Sequence, residues 1–389
     1  MAANLSIDLV RNDIYLGLKE VSNEPTGFIQ SVNTNTGAEA AAIGDQIKIP
    51  VGTAGEVEDT PVGYSNPTEG TSDVGAGTMA ITESKTVKID WKGEHQKAVM
   101  NSGALGTVLA QQFADAFRKL RNAIEASTYK AAIEGASRAY GTAGTTPFAT
   151  ANDMSDFANL QGILDANGTP ESNRTVVLSP AAKINLLSKQ MNMIKVNESG
   201  SEETLRSGII MPTYGFNVRS SAAASKHTKT GVGTTPAVNA AAGYAVGVKE
   251  LAVDGVTTAP KAGDIVTVGT AADKYVVGEG STTTKLVLNP KGLVNAAADD
   301  AAIGLIGDYT ASVALHRNAV ALAIRPPAVP EYNGQKMDTA LAREYVTDPL
   351  TNITYEVAIY GGQRMLQFQV SVAWGVKAVN GEFIALLLG

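Results

Sequence analysis

The chain has 389 residues, 44% of them hydrophobic and 18% charged, with a formal charge of −7, no cysteine and a mean hydropathy of −0.01. Such a length allows two or three domains with a sizeable core, and the lack of cysteine excludes disulfides and thiolate metal sites. The acidic balance, with no block of basic residues, argues against a protein that grips nucleic acid, which needs many phosphate-neutralising Lys and Arg side chains.

The first residues, MAANLSIDLVRNDIYLGLKEV, lack the basic start and apolar run of a signal peptide. No window reaches the roughly 20 apolar residues of a membrane span, so a cytoplasmic protein is expected. Residues 1–45 read as an extended arm with mild helical periodicity over 7–18. A strand over 46–51, a Gly-rich polar stretch over 52–78 and an alternating strand over 82–91 then predict a projecting hairpin, 46–95. Val87, Ile89 and Trp91 share one face of its second strand.

The clearest helix covers 104–134. Leu105, Val108, Leu109, Phe113, Leu120, Ile124 and Ala131 recur at helical spacing, whereas Asp115, Lys119, Arg121 and Glu125 fall mostly elsewhere. About 30 residues at a rise of roughly 1.5 Å give about 45 Å, long for a globular helix. Gly135 is the expected stop. A second helix covers 153–167. A buried strand over 176–178 then runs into Ser179, a good N-cap, and Pro180, suited to the first helical position. Ile184, Leu187 and Met191 are expected on the apolar side of the helix that follows, and a strand over 215–218 returns the chain.

Beyond about residue 226 the composition shifts to short strands, over 244–248, 250–253, 265–268, 275–277 and 285–288. Gly, Asp and Asn-Pro turns separate them, and they read as a small β-barrel or sandwich inserted into the surrounding domain. Strands resume near 309, continue over 354–360 and 365–376, and end in an expected hairpin with Asn380-Gly381 as a type I′ turn.

Catalytic signatures are missing from the sequence: there is no phosphate-binding loop, nucleophile elbow, zinc-protease motif or EF-hand. Gly231-Val232-Gly233 lacks the strand-to-helix setting of a dinucleotide site. His95, His227 and His316 are isolated, and His316-Arg317 reads as a partner for backbone groups or an ion pair. Glu202-Glu203 and Asp299-Asp300 read as solvated charge. Trp91 and Trp374 read as core or interface anchors. No catalytic, cofactor-binding or metal-binding residue is expected.

The order of these parts resembles the major capsid proteins of tailed bacteriophages (the HK-ninety-seven-like fold). Within them it resembles the coat proteins of short-tailed phages that carry an inserted β domain. The stretches that carry the resemblance are 174–221, with its strand-Ser-Pro-helix unit and the run over 208–220; KAGDIVTVG at 261–269, followed by TTTKLVLNP; and LHRNAVALAIRPP. An insertion of about 80 residues is more compact than that coat type leads one to expect.

The resemblance implies an α+β capsid fold with an N-terminal arm (1–45), an extended hairpin loop (46–95) and a spine helix of a peripheral domain (96–139). An axial domain (140–231), the inserted β domain (232–308) and return strands (309–389) follow. It implies a non-enzymatic coat protein that forms pentamers and hexamers in an icosahedral shell around double-stranded DNA, without sequence-specific binding. Scaffolding and portal proteins are the implied partners, a procapsid that expands is the implied precursor, and no membrane is involved. Assembly in the host cytoplasm and residence in the virion follow from it. Some relatives form a Lys–Asn isopeptide crosslink helped by a Glu, for which Lys85 or Lys88 could serve; the short-tailed type generally does not. A bacterial nanocompartment shell, a β-rich adhesin or surface-layer protein and an α/β enzyme are the other readings.

Overall fold

One long amphipathic helix and two mixed sheets organise the chain. In the computed structural model, residues 8–50 (except 25 and 38), 76–97 (except 95), 105–190 and 208–389 (except 232, 234 and 334) are described. The helices are α1 (Asp8–Ser22), α2 (Leu105–Gly135), α3 (Ser155–Ala166) and α4 (Pro180–Lys189).

The strands of the first half are β1 (Asn33–Thr36), β2 (Gln46–Pro50), β3 (Ala76–Ala80), β4 (Glu83–Lys92), β5 (Arg138–Gly141), β6 (Arg174–Leu178) and β7 (Asn217–Ser220). Next come β8 (Ala237–Val238), β9 (Glu250–Asp254), β10 (Ile265–Val268), β11 (Lys274–Val276), β12 (Lys285–Val287) and β13 (Ile303–Leu305). The last are β14 (Ala311–His316), β15 (Val320–Arg325), β16 (Glu331–Tyr332), β17 (Gln335–Lys336), β18 (Ala340–Thr347), β19 (Thr354–Gly362), β20 (Met365–Ala378) and β21 (Ile384–Leu388).

A six-stranded sheet runs β1-β15-β20-β19-β18, with β4 also pairing β20. Alternation decides its faces: Phe368, Val370, Val372 and Trp374 face the helices and join their core, while Gln367, Gln369 and Ser371 point the other way. Phe113 meets Phe368 edge-on at 5.6 Å between ring centroids, and Phe117 meets Tyr355 at 4.9 Å. α1 crosses α2 closely because Gly17 has no side chain; a Cβ there would lie 2.7 Å from the Ala110 carbonyl oxygen.

An eight-stranded sheet runs β13-β10-β11-β5-β21-β14-β6-β7. Its central strands are buried on both faces, which explains their continuous apolar sequences. Ile384, Leu386 and Leu388 of β21 join the core that contains α2, whereas Ala385 and Leu387 join a second core with Phe157, Leu160 and Leu164 of α3. The α4 start matches its sequence: the Ser179 hydroxyl accepts from the Ala182 N–H, and Pro180 opens the helix.

Several expectations change. The described part of 1–45 is dominated by α1, which buries Ile14, Leu18 and Val21 against α2 rather than standing off as an extended arm. Residues 51–75, and Met191 and His95, lie outside the described residues. On α4 the buried side chains are Ala182 and Leu186, and Ile184 is 66% exposed. Residues 244–248 make only an isolated bridge, Tyr244 to Ala297, because turns at Gly243 and Gly247 break the run.

The strands read as a small barrel or sandwich divide between two sheets around one apolar cluster. β8, β9 and β12 form a three-stranded sheet, while β10, β11 and β13 extend the eight-stranded sheet through the β11–β5 pairing. The final hairpin is absent among the described residues: β20 belongs to one sheet and β21 to the other. Asn380 has φ −117°, whereas a type I′ turn needs positive φ at both central residues, and the chain passes between sheets through a short 3-10 turn, Gly381–Phe383.

Candidate assembly surfaces

Two charged residues expected off the apolar stripe of α2 are buried within it. Arg121 and Glu125 are each 4% exposed. Glu125 accepts from the backbone N–H of Phe28 (3.0 Å) and of Ile29 (2.8 Å), and from the Ser221 hydroxyl (2.8 Å). Arg121 donates to the Val21 carbonyl and pairs with Glu24, and Arg118 pairs with Glu24 at 2.7 Å. These arginines hold the Glu24 carboxyl below its usual range, the Arg118 hydrogen bond outweighing the opposing effect of partial burial. One turn of α2 thus fixes both the segment after α1 and the loop after β7. The signal available in the sequence was an i,i+4 Arg–Glu pair in register with Phe117, Leu120, Ile124 and Thr128.

The C-terminal end of α2 is closed from a distance. The Asn289 side-chain amide donates to the carbonyls of Glu134 (2.8 Å) and Ala136 (2.7 Å), two of the groups a helix end leaves without internal partners. Gly135 is glycine for a different reason than a left-handed cap: a Cβ there would overlap the Ala378 side chain on β20.

Nearby, residues 226–230 and 308–309 form a neck leading to β8–β13. His227 and Tyr309 exchange backbone hydrogen bonds at 2.8 and 3.1 Å, and their rings stack at 5.0 Å. His227 Nε2 lies 2.9 Å from the buried Asp264 carboxylate, which also accepts from the backbone N–H of Lys261 (3.0 Å) and Thr230 (3.4 Å). Burial pushes the Asp264 carboxyl up, but these hydrogen bonds and the nearby imidazole bring it below the usual value. The Tyr309 hydroxyl donates to the Gly263 carbonyl at 2.6 Å, and burial pushes the neighbouring Tyr129 phenol up to about 12.

The other singled-out residues stay apart. His316 is buried in β14, accepts from the Asn318 backbone N–H at Nδ1 (3.2 Å) and meets Phe383 edge-on; burial, then the Arg174 charge, pulls its imidazole below the usual value. Asp299 accepts from the Ala240 N–H at 2.8 Å, 59 residues away in the chain, beside the exposed Asp300. Gly231 and Gly233 lie between the neck and the short strand β8, with no helix following, and Glu202-Glu203 fall outside the described residues. Trp91 donates to Gln112 at 2.6 Å, and Trp374 is fully buried. Lys85 pairs with Glu83 at 2.5 Å and lies 5.3 Å above the Trp374 ring; Lys88 is exposed opposite Gln369. Among the described residues neither lysine reaches an asparagine side chain. No cluster of three His, Cys, Asp or Glu able to hold a metal occurs among them, and no described helix is long and apolar enough to cross a membrane.

What the surface does offer is edges and apolar side chains. Among the described residues, β7 and β18 each pair with a strand on one side only. Ile209, Met211 and Tyr214 are 59%, 41% and 48% exposed beside β7, and Leu341 and Leu350 are similarly bare at and beyond β18. The Tyr214-Gly215 turn has positive φ at both residues and is closed by hydrogen bonds between Thr213 and Phe216, which holds this tip in one shape.

No protein-family description and no curated protein matches the sequence. Among solved structures, the chain is similar to one from Mycobacterium phage Che8, at 12% identity and a TM-score of 0.47, over 94% of this chain and 92% of that one. It is similar to a subunit of the bacteriophage PhiM1 mature capsid, at 10% identity and a TM-score of 0.45, over 94% and 87%. It is also similar to a virus-like particle from Pyrococcus furiosus, at 9% identity and a TM-score of 0.42, over 97% and 98%. These overlays are long but loose, and by themselves they assign no role.

Proposed function

We propose that this chain is a shell subunit of the tailed-phage capsid type, which assembles through repeated contacts between copies. The observation that carries the reading is the arrangement around α2. A helix of about 45 Å lies between two sheets whose outer strands β7 and β18 have a strand partner on one side only among the described residues, and the β2–β3 hairpin packs through Met79 on the face of β20 and β15 away from the helix. Uncovered edges and a hairpin outside the core suit rotationally repeated heterologous contacts. The low charge content and the surface-exposed Ile, Met, Leu and Tyr side chains support it.

In this reading 96–139 and parts of the return strands make a peripheral domain. Residues 140–231, with strands after 309, make an axial domain facing the fivefold and sixfold centres, and 232–308 are an insertion. The shell encloses double-stranded DNA without gripping it, consistent with the net charge of −7. It forms as a procapsid with scaffolding and portal proteins in the host cytoplasm, expands, and serves in the virion. The chain itself performs no catalysis.

Electron microscopy of the chain expressed with its neighbouring genes tests the proposal. Closed shells, or capsid-like tubes and spirals, are expected. A persistent monodisperse monomer or dimer would overturn it, and closed shells loaded with protein instead of DNA would move the chain to the nanocompartment class.

A further inference from the structure

A groove of about 710 Å³ is lined by Glu24, Thr26 and Gln30 after α1, by β7 with the segment before it, and by Lys183 of α4 and Leu350. Among the described residues β7 pairs with a strand on one side only, lying parallel to β6. The Ser221 N–H donates to the Leu178 carbonyl of β6. Backbone groups alternate in direction along a strand, so those of Val218 and Ser220 turn away from β6. Large apolar side chains flank this edge: Ile184, Ile209 and Leu350 are 66%, 59% and 54% exposed.

The charges of the groove are unevenly spent. Its one lining carboxylate, Glu24, is already held by Arg118 at 2.7 Å and by Arg121. Lys183 forms no ion pair among the described residues. Arg219 donates only to neutral groups there, the Thr26 carbonyl at 3.4 Å and the Gln30 side chain. Burial pulls the Arg219 guanidinium below its usual value, with the Glu125 charge opposing. The Thr26 hydroxyl, on a residue only 5% exposed, has no hydrogen-bond partner. Two cations and one hydroxyl therefore remain for an acceptor from outside.

We propose that this groove receives an extended acidic segment of another protein, added as a strand along β7 with its carboxylates toward Lys183 and Arg219. Backbone pairing supplies the affinity and alternate side chains the selectivity, with apolar residues of the segment covering Ile184, Ile209 and Leu350. The strands that end the two large sheets offer no free carboxylate of this kind to a second copy. Glu344 of β18 is held by Arg11, Glu83 of β4 by Lys85 and Asp90 by Gln367, while β1, β7 and β13 carry none. The surface is complete on one subunit, so the inference does not depend on the shell reading.

Fluorescence anisotropy of a short labelled peptide alternating valine and glutamate, titrated with the full chain in unassembled form, tests it. Saturable binding is expected, with the valine–lysine counterpart binding far more weakly. Lys183→Glu should weaken binding by about fivefold or more. Val218→Pro, which removes one outward N–H, should abolish it. Thermal melting checks folding, and Lys183→Glu decides alone if the proline variant does not fold. No binding, or binding that neither substitution changes, would overturn the proposal. Displacement of the peptide by millimolar free glutamate or inorganic phosphate would reduce the groove to a small-anion site and overturn the strand docking. Shell formation by the wild-type chain is scored separately, so the failure of one reading leaves the other standing.

Discussion

The Glu125 carboxylate receives the backbone N–H of Ile29 at 2.8 Å, joining the middle of α2 to a segment 96 residues earlier in the chain. The same group also receives Phe28 N–H and the Ser221 hydroxyl, so three parts of the chain share one buried acceptor. Glu125→Ala would leave two buried N–H groups without a partner and is expected to lower stability by about 3 kcal/mol. Glu125→Gln, which can keep only one acceptor oxygen, should cost about 2 kcal/mol. Urea unfolding measures both, and a loss under half a kilocalorie for the alanine variant would contradict the role given to this residue.

Asn289 offers a separate check. Its amide closes the end of α2 from beyond β12, so Asn289→Ala should cost about 1–2 kcal/mol and raise amide exchange around 134–137. Unchanged exchange there would mean that water caps the helix equally well.

Gly135 and Ala378 should behave as a pair. Alanine at 135 would gain about 1 kcal/mol of helix propensity, yet its Cβ overlaps Ala378 and should cost about 1–3 kcal/mol of overpacking. Gly135→Ala is therefore expected to destabilise alone and to recover when Ala378→Gly is added. Denaturation midpoints of the four chains in that cycle decide it.

Two buried groups, His316 and Asp264, contribute to the acid limb of stability. His316 has a folded pKa below its unfolded value of about 6.5, so the unfolded chain takes up the proton first. Stability is complete above that value and declines as pH falls towards the folded pKa. Asp264 is also depressed in the fold, so its contribution is present above its unfolded value of about 3.9 and is lost as pH falls through the lower folded one. Stability measured from pH 8 to 3 should fall in these two windows, with His316→Gln flattening the first and Asp264→Asn the second.

Local signals made part of this fold legible. α2 could be read because its apolar residues recur over many turns, and α4 because Ser179-Pro180 marks its start. The same logic failed where distant atoms decide. Asn380-Gly381 reads as a hairpin turn, yet β21 finds its neighbours in β5 and β14, not in β20. Gly135 reads as a stop, although the glycine answers to Ala378 across the interior. Arg121 and Glu125 look like solvated charge until the Phe28–Ile29 backbone appears beside them. The His227–Asp264 pair spans 37 residues and becomes visible only when the neck closes.

The position of β21 governs the order of events during synthesis. It pairs with β5 on one side and β14 on the other, and Ser137 reaches the Ile384 carbonyl across 247 residues of chain. Residues 138–141 therefore leave the ribosome long before the strand that separates them from β14 has been made. Pairings of this range form slowly and leave apolar strands uncovered meanwhile. A newly made subunit thus spends its first moments with its widest sheet split in two, exposed to mispairing with sister chains until residues 384–388 slot into the gap.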